Sequence, residues 1–191
     1  MAVLCEAYSV IVRLQSVDRY FPGGQDAFTR LVTNSTFCSD GALARIGFMT
    51  PDDIEEFIDA LETHNLQFGP HGDDERVGIH GRPERDIVVV SQLHGPTTPC
   101  SWIDCFRMQI SANGWVVGAR LVTHGVPQVD PDGGVDLHTP DGWSYGRSIS
   151  ASMQFVSFED MPGRMKFLRA EDGLDVYLDT ETGKEMFVGR S

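Results

Sequence analysis

Residues 50–65 read TPDDIEEFIDALETHN, and this stretch carries the clearest structural signal in the chain. Thr50 is a good helix N-cap and Pro51 suits the first helical position. Acidic residues fill the first turn, where they face the positive end of the helix dipole. Four apolar residues then recur at one-turn spacing and predict a buried stripe: Ile54, Phe57, Ile58 and Leu61. The pattern predicts an amphipathic helix that packs on a sheet and ends near residues 64–65.

Apolar, β-branched runs on either side of this helix predict the sheet. Residues 7–14 and 86–92 are typical of buried strands, residues 43–48 of a shorter one, and a second helix is expected from Gln25 onward. The predicted elements follow the order strand, helix, strands, helix, strand. This order is typical of an α+β fold with its helices on one face of the sheet. We therefore expect a ferredoxin-like, or split βαβ, layer.

The last third of the chain is richer in strand signals than in helix signals. Further strands are expected at residues 102–110, 115–123, 150–158, 165–169, 174–178 and 185–188. Glycine, proline and aspartate are frequent at residues 69–85 and 126–145, which predicts two long loops. We expect an α+β part at residues 1–125 and a β-rich extension at residues 126–191, packed together as one globular unit.

Three stretches together resemble an uncharacterised family of bacterial proteins. They are GFMTPDDI at residues 47–54, DIVVV at residues 86–90 and GPTTPC at residues 95–100. The resemblance covers most of the chain. It implies a bacterial source, and it implies no activity, cofactor or site residue.

The charge balance narrows the classes of partner. The chain has 15 basic and 28 acidic residues, a net charge of −13, and both halves are acidic. Phosphate backbones and anionic membrane surfaces would be repelled, so we expect no nucleic-acid partner and no membrane partner. The first residues lack the basic start of a secretory signal, and no apolar window is long enough for a membrane helix. We expect a cytoplasmic protein with reduced thiols.

Cys100 is the candidate nucleophile among the four cysteines. It follows the rigid turn at residues 95–99. A thiolate needs a base or a positive field at neutral pH, and His94 or His124 would supply the base. No thiol-enzyme signature surrounds Cys100, and the competing interpretation is an inert, buried cysteine.

Two loops contain the residue types that bind metals. The first holds His71, Asp73, Asp74 and His80, and the second holds Asp130, Asp132, Asp136 and His138. The first is rich in glycine, so nothing holds its ligands in place. The second resembles a calcium loop but lacks the ligand at position 5 and the Glu at position 12. No phosphate-binding glycine motif is present either. We expect no metal and no cofactor.

No motif in the chain names a reaction. We therefore expect a non-catalytic ligand-binding, regulatory or protein-interaction module, whose partner would be a second copy of the chain or another protein. The alternative is a hydrolase or transferase that uses Cys100 with His94 or His124. A third hypothesis is a metal-dependent protein that uses one of the two acidic loops.

Overall fold

A computed structural model describes residues 1–32, 34–69, 78–111, 114–128, 134–152, 161–171, 174–180, 183 and 185–189. The chain forms two compact units, residues 1–152 and residues 153–191. The sequence prediction placed the boundary between the two parts earlier in the chain, between residues 125 and 126. The architecture is α+β, as predicted. No helix among the described residues is long and apolar enough to cross a membrane.

The first unit contains most of the secondary structure. Its elements in chain order are β1 (Ala2–Cys5), β2 (Tyr8–Arg13), α1 (Leu14–Tyr20), α2 (Gly24–Leu31), β3 (Cys38–Ser39), β4 (Leu43–Phe48), α3 (Pro51–Thr63), β5 (Ile87–Ser91), β6 (Gly95–Pro96), β7 (Ile103–Ser111), β8 (Gly114–Thr123), β9 (Val126–Pro127), β10 (Leu137–His138), a 3-10 helix (Tyr145–Arg147) and α4 (Ile149–Ser152).

One sheet has the order β3-β4-β2-β5-β6, and every neighbouring pair is antiparallel. Helices α1 and α2 connect β2 to β3, and α3 connects β4 to β5. The connected strands are not neighbours, because β4 lies between β2 and β3, and β2 lies between β4 and β5. This split arrangement agrees with the expected alternation of elements, and the ferredoxin-like class itself stays a prediction.

The three helices share an apolar core with one face of this sheet. Alternating residues of the central strands point into it, among them Val10, Val12, Ile46, Ile87 and Val89. The Thr50 side chain accepts a hydrogen bond from the backbone N–H of Asp53, which confirms the predicted cap of α3. Ile54, Ile58 and Leu61 are buried as predicted. Phe57 is only half-buried and packs against Phe48, with 5.3 Å between ring centroids.

The opposite face of the sheet is covered by a second sheet. Its order is β10-β1-β8-β7, with β9 paired to β8. The core between the two sheets contains Ile11, Leu43, Val88 and Val90 from the first, and Val3, Val117 and Ala119 from the second. The first unit is therefore a helix layer, a sheet and a second sheet. The chain passes from the second sheet to the first between β1 and β2.

The structure differs from the sequence prediction at residues 2–5 and at residues 149–152. The first strand of the chain, β1, was not predicted, and it lies at the centre of the second sheet. Residues 149–152 form a short helix where a strand was expected over 150–158, and residues 153–160 lie outside the described part. Ser148 favours a helix start here, because its hydroxyl accepts a hydrogen bond from the backbone N–H of Ala151 at 3.2 Å.

The second unit contains α5 (Met161–Arg164), β11 (Met165–Glu171), β12 (Leu174–Asp179) and β13 (Glu185–Gly189). The three strands form an antiparallel sheet in chain order, as the sequence predicts. The buried Asp179 carboxylate accepts two hydrogen bonds from the Arg164 guanidinium, at 2.7 and 2.8 Å. This forked pair joins the last residue of α5 to the last residue of β12.

Candidate functional site

Five buried polar residues surround the passage from β1 to β2. We call them the Glu6–Arg45 cluster: Glu6, Ser9, Arg45, Gln92 and Ser150. Burial of so many polar side chains is costly unless each is hydrogen-bonded, so such a cluster is either a structural network or a site.

Glu6 lies at the centre of the cluster and is 8% exposed. Its Oε1 atom accepts hydrogen bonds from the Ser150 hydroxyl (2.6 Å) and the Ser150 backbone N–H (3.0 Å). Its Oε2 atom accepts one from Trp143 Nε1, at 3.1 Å. All three partners are donors, which is the environment of an ionised carboxylate. These bonds connect the β1–β2 passage to residues 137 and 144 positions later in the sequence.

Ala7 follows Glu6 in a left-handed backbone conformation, with φ of 48°. This conformation is strained for a residue with a Cβ atom. Gln92 maintains this conformation with two hydrogen bonds. Its side-chain Oε1 accepts from the Ala7 N–H at 2.9 Å, and its backbone N–H donates to the Ala7 carbonyl at 2.8 Å. The Gln92 amide also donates to Ser150 Oγ, at 2.9 Å. Backbone strain that the surroundings enforce in this way is found most often at functional sites.

Arg45 supplies the positive charge of the cluster and is only 3% exposed. It lies on β4 and points between the two sheets. Its Nε donates to Ser9 Oγ (2.9 Å), Nη1 to the Thr36 carbonyl (3.0 Å) and Nη2 to the Glu6 carbonyl (3.1 Å). These neutral acceptors use three of its five N–H groups. Among the residues that the structure describes, no carboxylate oxygen lies within ion-pairing distance of this guanidinium.

Gly47 provides the space that the Arg45 side chain occupies. A Cβ atom at Gly47 would lie 2.5 Å from Nη2 and 2.9 Å from Nη1 of Arg45. Gly47 is at the edge of the sheet, beyond the two-residue strand β3, and its backbone groups bond side chains instead of a strand. Thr36 Oγ1 accepts from its N–H at 2.7 Å and donates to its C=O at 3.0 Å, and Asn34 Nδ2 donates to the same carbonyl at 2.8 Å.

A cavity of about 180 Å³ opens beside these two charges. Both Glu6 and Arg45 line it, and its apolar walls come from Phe48, Met49, Pro140, Trp143 and Ile149. An apolar cavity of about 150 Å³ in a protein core is large enough for a benzene molecule. The Glu6–Arg45 cavity therefore has room for one small molecule, and it combines apolar walls with one buried charge of each sign.

Cys100 lies elsewhere, in a pocket of about 500 Å³ that it shares with Arg85 and Trp102. Burial raises the pKa of the Cys100 thiol, although hydrogen bonds from the backbone of Trp102 and the charge of Arg85 oppose the shift. A raised pKa leaves less thiolate at neutral pH, whereas a nucleophile needs more.

The two histidines predicted to assist Cys100 are not in contact with it. His94 lies beyond the end of β5, where its Nδ1 is 3.3 Å from Ser91 Oγ. Cys100 lies near the other end of β5, because Trp102 Nε1 bonds the Arg85 carbonyl, and a five-residue strand spans roughly 15 Å. His124 is exposed in the turn between β8 and β9, with φ of 52°. Catalysis by Cys100 with either histidine stays a prediction.

Cys5 and Cys38 are buried between the two sheets, and Cys105 is half-buried against the same core. Burial raises the pKa of Cys38 to about 11 and that of Cys105 to about 12, and it raises the pKa of Cys5 further. All four thiols are free. These three thiols stay protonated at neutral pH and pack as small apolar groups.

The predicted metal loops are only partly described. His71, Asp73, Asp74, Asp130 and Asp132 lie outside the described residues. His80 is described, and its Nε2 lies 3.1 Å from the Glu62 carbonyl. Within the described ranges, no three His, Cys, Asp or Glu side chains are placed to hold a metal ion.

Comparison with known proteins assigns no family: no protein-family model, no curated protein and no solved structure matches this chain.

The sequence prediction did not include Glu6, Arg45 or Trp143. One local signal was present, because Arg45 interrupts the apolar strand LARIGF two residues after Leu43, which faces the core between the sheets. Glu6 likewise separates two apolar strands. No local pattern in the sequence indicated that Glu6 and Arg45 lie beside Trp143 and Ser150.

Proposed function

We propose that this protein is a non-catalytic ligand-binding module, and that its ligand is a small molecule in the Glu6–Arg45 cavity. The observation that supports this proposal is the buried Arg45 guanidinium, which lines the cavity and has no ion-pair partner among the described residues. A cation buried without an anion is unfavourable for folding alone. A ligand that supplies hydrogen-bond acceptors to the two remaining N–H groups would compensate for it.

The strained backbone at Ala7 supports the same site. Glu6 and Ala7 both line the cavity, so the left-handed residue of the β1–β2 passage lies in its wall. Because Gln92 and Ser150 hold this arrangement before any ligand enters, little ordering would be needed on binding. The proposed setting is the cytoplasm, in agreement with four free thiols.

The test is a thermal-shift screen of small acids, amides and amino acids against three proteins. The wild type should gain stability with at least one compound, because a ligand that binds only the folded state raises the melting temperature. Ser35 is exposed at the cavity wall, and Ser35→Phe should remove the gain by filling the mouth. Ser101→Phe is the matched control in the Cys100 pocket and should leave the gain unchanged.

The same pair of variants separates this proposal from its alternative. If Ser101→Phe removes binding and Ser35→Phe does not, the ligand occupies the Cys100 pocket, and a hydrolase or transferase that uses Cys100 becomes the better hypothesis. If no compound stabilises the wild type, the cavity is a structural feature and the proposal is wrong.

Protein interaction is the second part of the proposal. A groove of about 580 Å³ runs beside α3 and β4, lined by Leu31, Phe48, Met49 and Phe57, with Asp53 and Glu56 also in its wall. Met49 is 69% exposed there. Exposed apolar residues within an acidic surface are typical of contact sites. If the partner is a second copy of the chain, Met49→Glu should convert a dimer to a monomer in sedimentation velocity, and Met1→Glu should not.

A further inference from the structure

The two charges of the Glu6–Arg45 cavity restrict the chemistry of its ligand. We infer that the ligand is a small apolar α-amino acid, bound as a zwitterion with its carboxylate on Arg45 and its ammonium group on Glu6. This inference rests on the proposed function and specifies the class of molecule that the cavity binds.

Arg45 can accommodate a carboxylate without loss of its present bonds. Three of its N–H groups bond Ser9, Thr36 and Glu6 carbonyl or hydroxyl oxygens, and two remain. A guanidinium with two N–H groups available is suited to bond a carboxylate. Since the side chain is buried and fixed by its other bonds, its orientation is set before the ligand binds.

Glu6 can accommodate an ammonium group in the same way. A carboxylate has about four lone-pair sites, and the described bonds occupy three of them. Oε1 accepts two hydrogen bonds, both from Ser150, whereas Oε2 accepts only one, from Trp143. The remaining site on Oε2 is suited to one N–H of an ammonium group, which carries donors only.

The sum of charges distinguishes a zwitterion from a simple acid or amine. The two buried groups cancel, so a neutral molecule with separated charges leaves no net charge in the cavity. A simple carboxylate would bond Arg45 but meet the negative Glu6, and a simple amine would bond Glu6 but meet the positive Arg45. Like charges brought together in a poorly solvated site weaken binding.

The size and walls of the cavity limit the side chain. A volume of about 180 Å³ slightly exceeds the roughly 150 Å³ that holds the six carbons of benzene, so a ligand of about eight non-hydrogen atoms fits. Apart from Ser35 and Thr36, the remaining wall is apolar and includes Phe48, Met49 and Ile149. A branched aliphatic side chain such as that of valine matches this wall, and an aromatic or charged side chain does not.

The experiment compares three molecules of nearly equal shape by calorimetry: L-valine, 3-methylbutanoate, which lacks the amino group, and 2-methylpropan-1-amine, which lacks the carboxylate. Each charged hydrogen bond is expected to change affinity by about tenfold or more, so valine should bind at least that much more tightly than either analogue. Glu6→Gln should remove the advantage of valine over the acid. Glu55→Gln, at an exposed position on α3, should leave it unchanged.

The outcomes separate this inference from the proposed function. If 3-methylbutanoate binds as tightly as valine and Ser35→Phe abolishes both, the cavity binds ligands but does not read the ammonium group, and the inference is wrong. If wild-type protein binds none of the three, nor any compound of the wider screen, both proposals are wrong. Should Glu6→Gln fail to fold, the comparison of the three molecules on wild-type protein still decides the question.

Discussion

Thr36→Val is the sharpest test of how the wall of the cavity is built. The hydroxyl of Thr36 is the described partner of the buried Gly47 N–H, at 2.7 Å, and it also donates to the Gly47 carbonyl at 3.0 Å. Valine has almost the same shape but makes neither bond. The Gly47 carbonyl keeps its bond from Asn34 Nδ2, whereas the N–H is left without an acceptor.

The magnitude follows from those two bonds. A buried N–H without a partner costs about 1–3 kcal/mol, and a lost hydroxyl–carbonyl bond costs about 0.5–1.5 kcal/mol. We expect Thr36→Val to lower the free energy of unfolding by about 2–4 kcal/mol. The matched control is Thr63→Val on the exposed end of α3, where one hydroxyl bond to the Asp59 carbonyl is lost, and its effect should stay below about 0.5 kcal/mol.

Urea unfolding followed by tryptophan fluorescence measures both variants. Trp102, Trp115 and Trp143 all lie in the first unit, so the signal follows the unit that contains the cavity. The midpoint should fall with an unchanged slope, because the surface exposed on unfolding is the same. A loss of less than about 0.5 kcal/mol for Thr36→Val would refute the reasoning, since it would mean that water replaces the hydroxyl and the edge of β4 is not sealed.

Three further predictions concern the strained residue and the thiols. Ala7→Gly should raise the free energy of unfolding by about 0.5 kcal/mol. Relief of the left-handed strain contributes about 1–2 kcal/mol, which exceeds the free-energy cost of the more flexible unfolded chain. A loss of stability in thermal unfolding would contradict this. Burial raises the pKa of Cys38 to about 11 and of Cys105 to about 12, from 9.0, so the folded state keeps protons that the unfolded state loses. Stability should therefore be full below pH 9 and fall as the pH rises toward 11, and a Cys38→Ala, Cys105→Ala variant should show a shallower fall in the same urea titration. Cys100, whose pKa is also raised, should react slowly with iodoacetamide below pH 7, and rapid alkylation followed by mass spectrometry would instead favour the thiol-dependent enzyme.

Helix α3 and the central strands were predictable because their signals are local. The cap, the first-turn proline and the apolar spacing of α3 all lie within residues 50–63, and the structure begins the helix at Pro51 and ends it at Thr63. Strands β2 and β5 are short apolar runs whose β-branched residues favour extended backbone. The same local reasoning extended the first strand to residues 7–14, but β2 begins at Tyr8, because Ala7 takes the left-handed turn.

β1 was not predictable in this way. Four apolar residues, Ala2–Cys5, show no period and no flanking turn signal, and they become a strand because Val3, Leu4 and Cys5 pair with β8, more than 100 residues later. With β1 placed, the Glu6–Ala7 passage must cross between the two sheets. That crossing, and not any feature of residues 6 and 7 alone, brings a carboxylate into the interior.

The sequence by itself determined the α+β class, the position and orientation of α3, the hairpin of β7 and β8, and the acidic charge, because each depends on residues close together in the chain or on their sum. Only the tertiary structure decided that Glu6 meets Ser150 across 144 positions, that Arg45 is buried without a carboxylate partner among the described residues, and that Cys100 is separated from His94 by the length of a strand. The physical reason is that charges and hydrogen bonds act over a few ångströms in space. Which residues lie that close is set by the packing of the two sheets, which no local pattern contains.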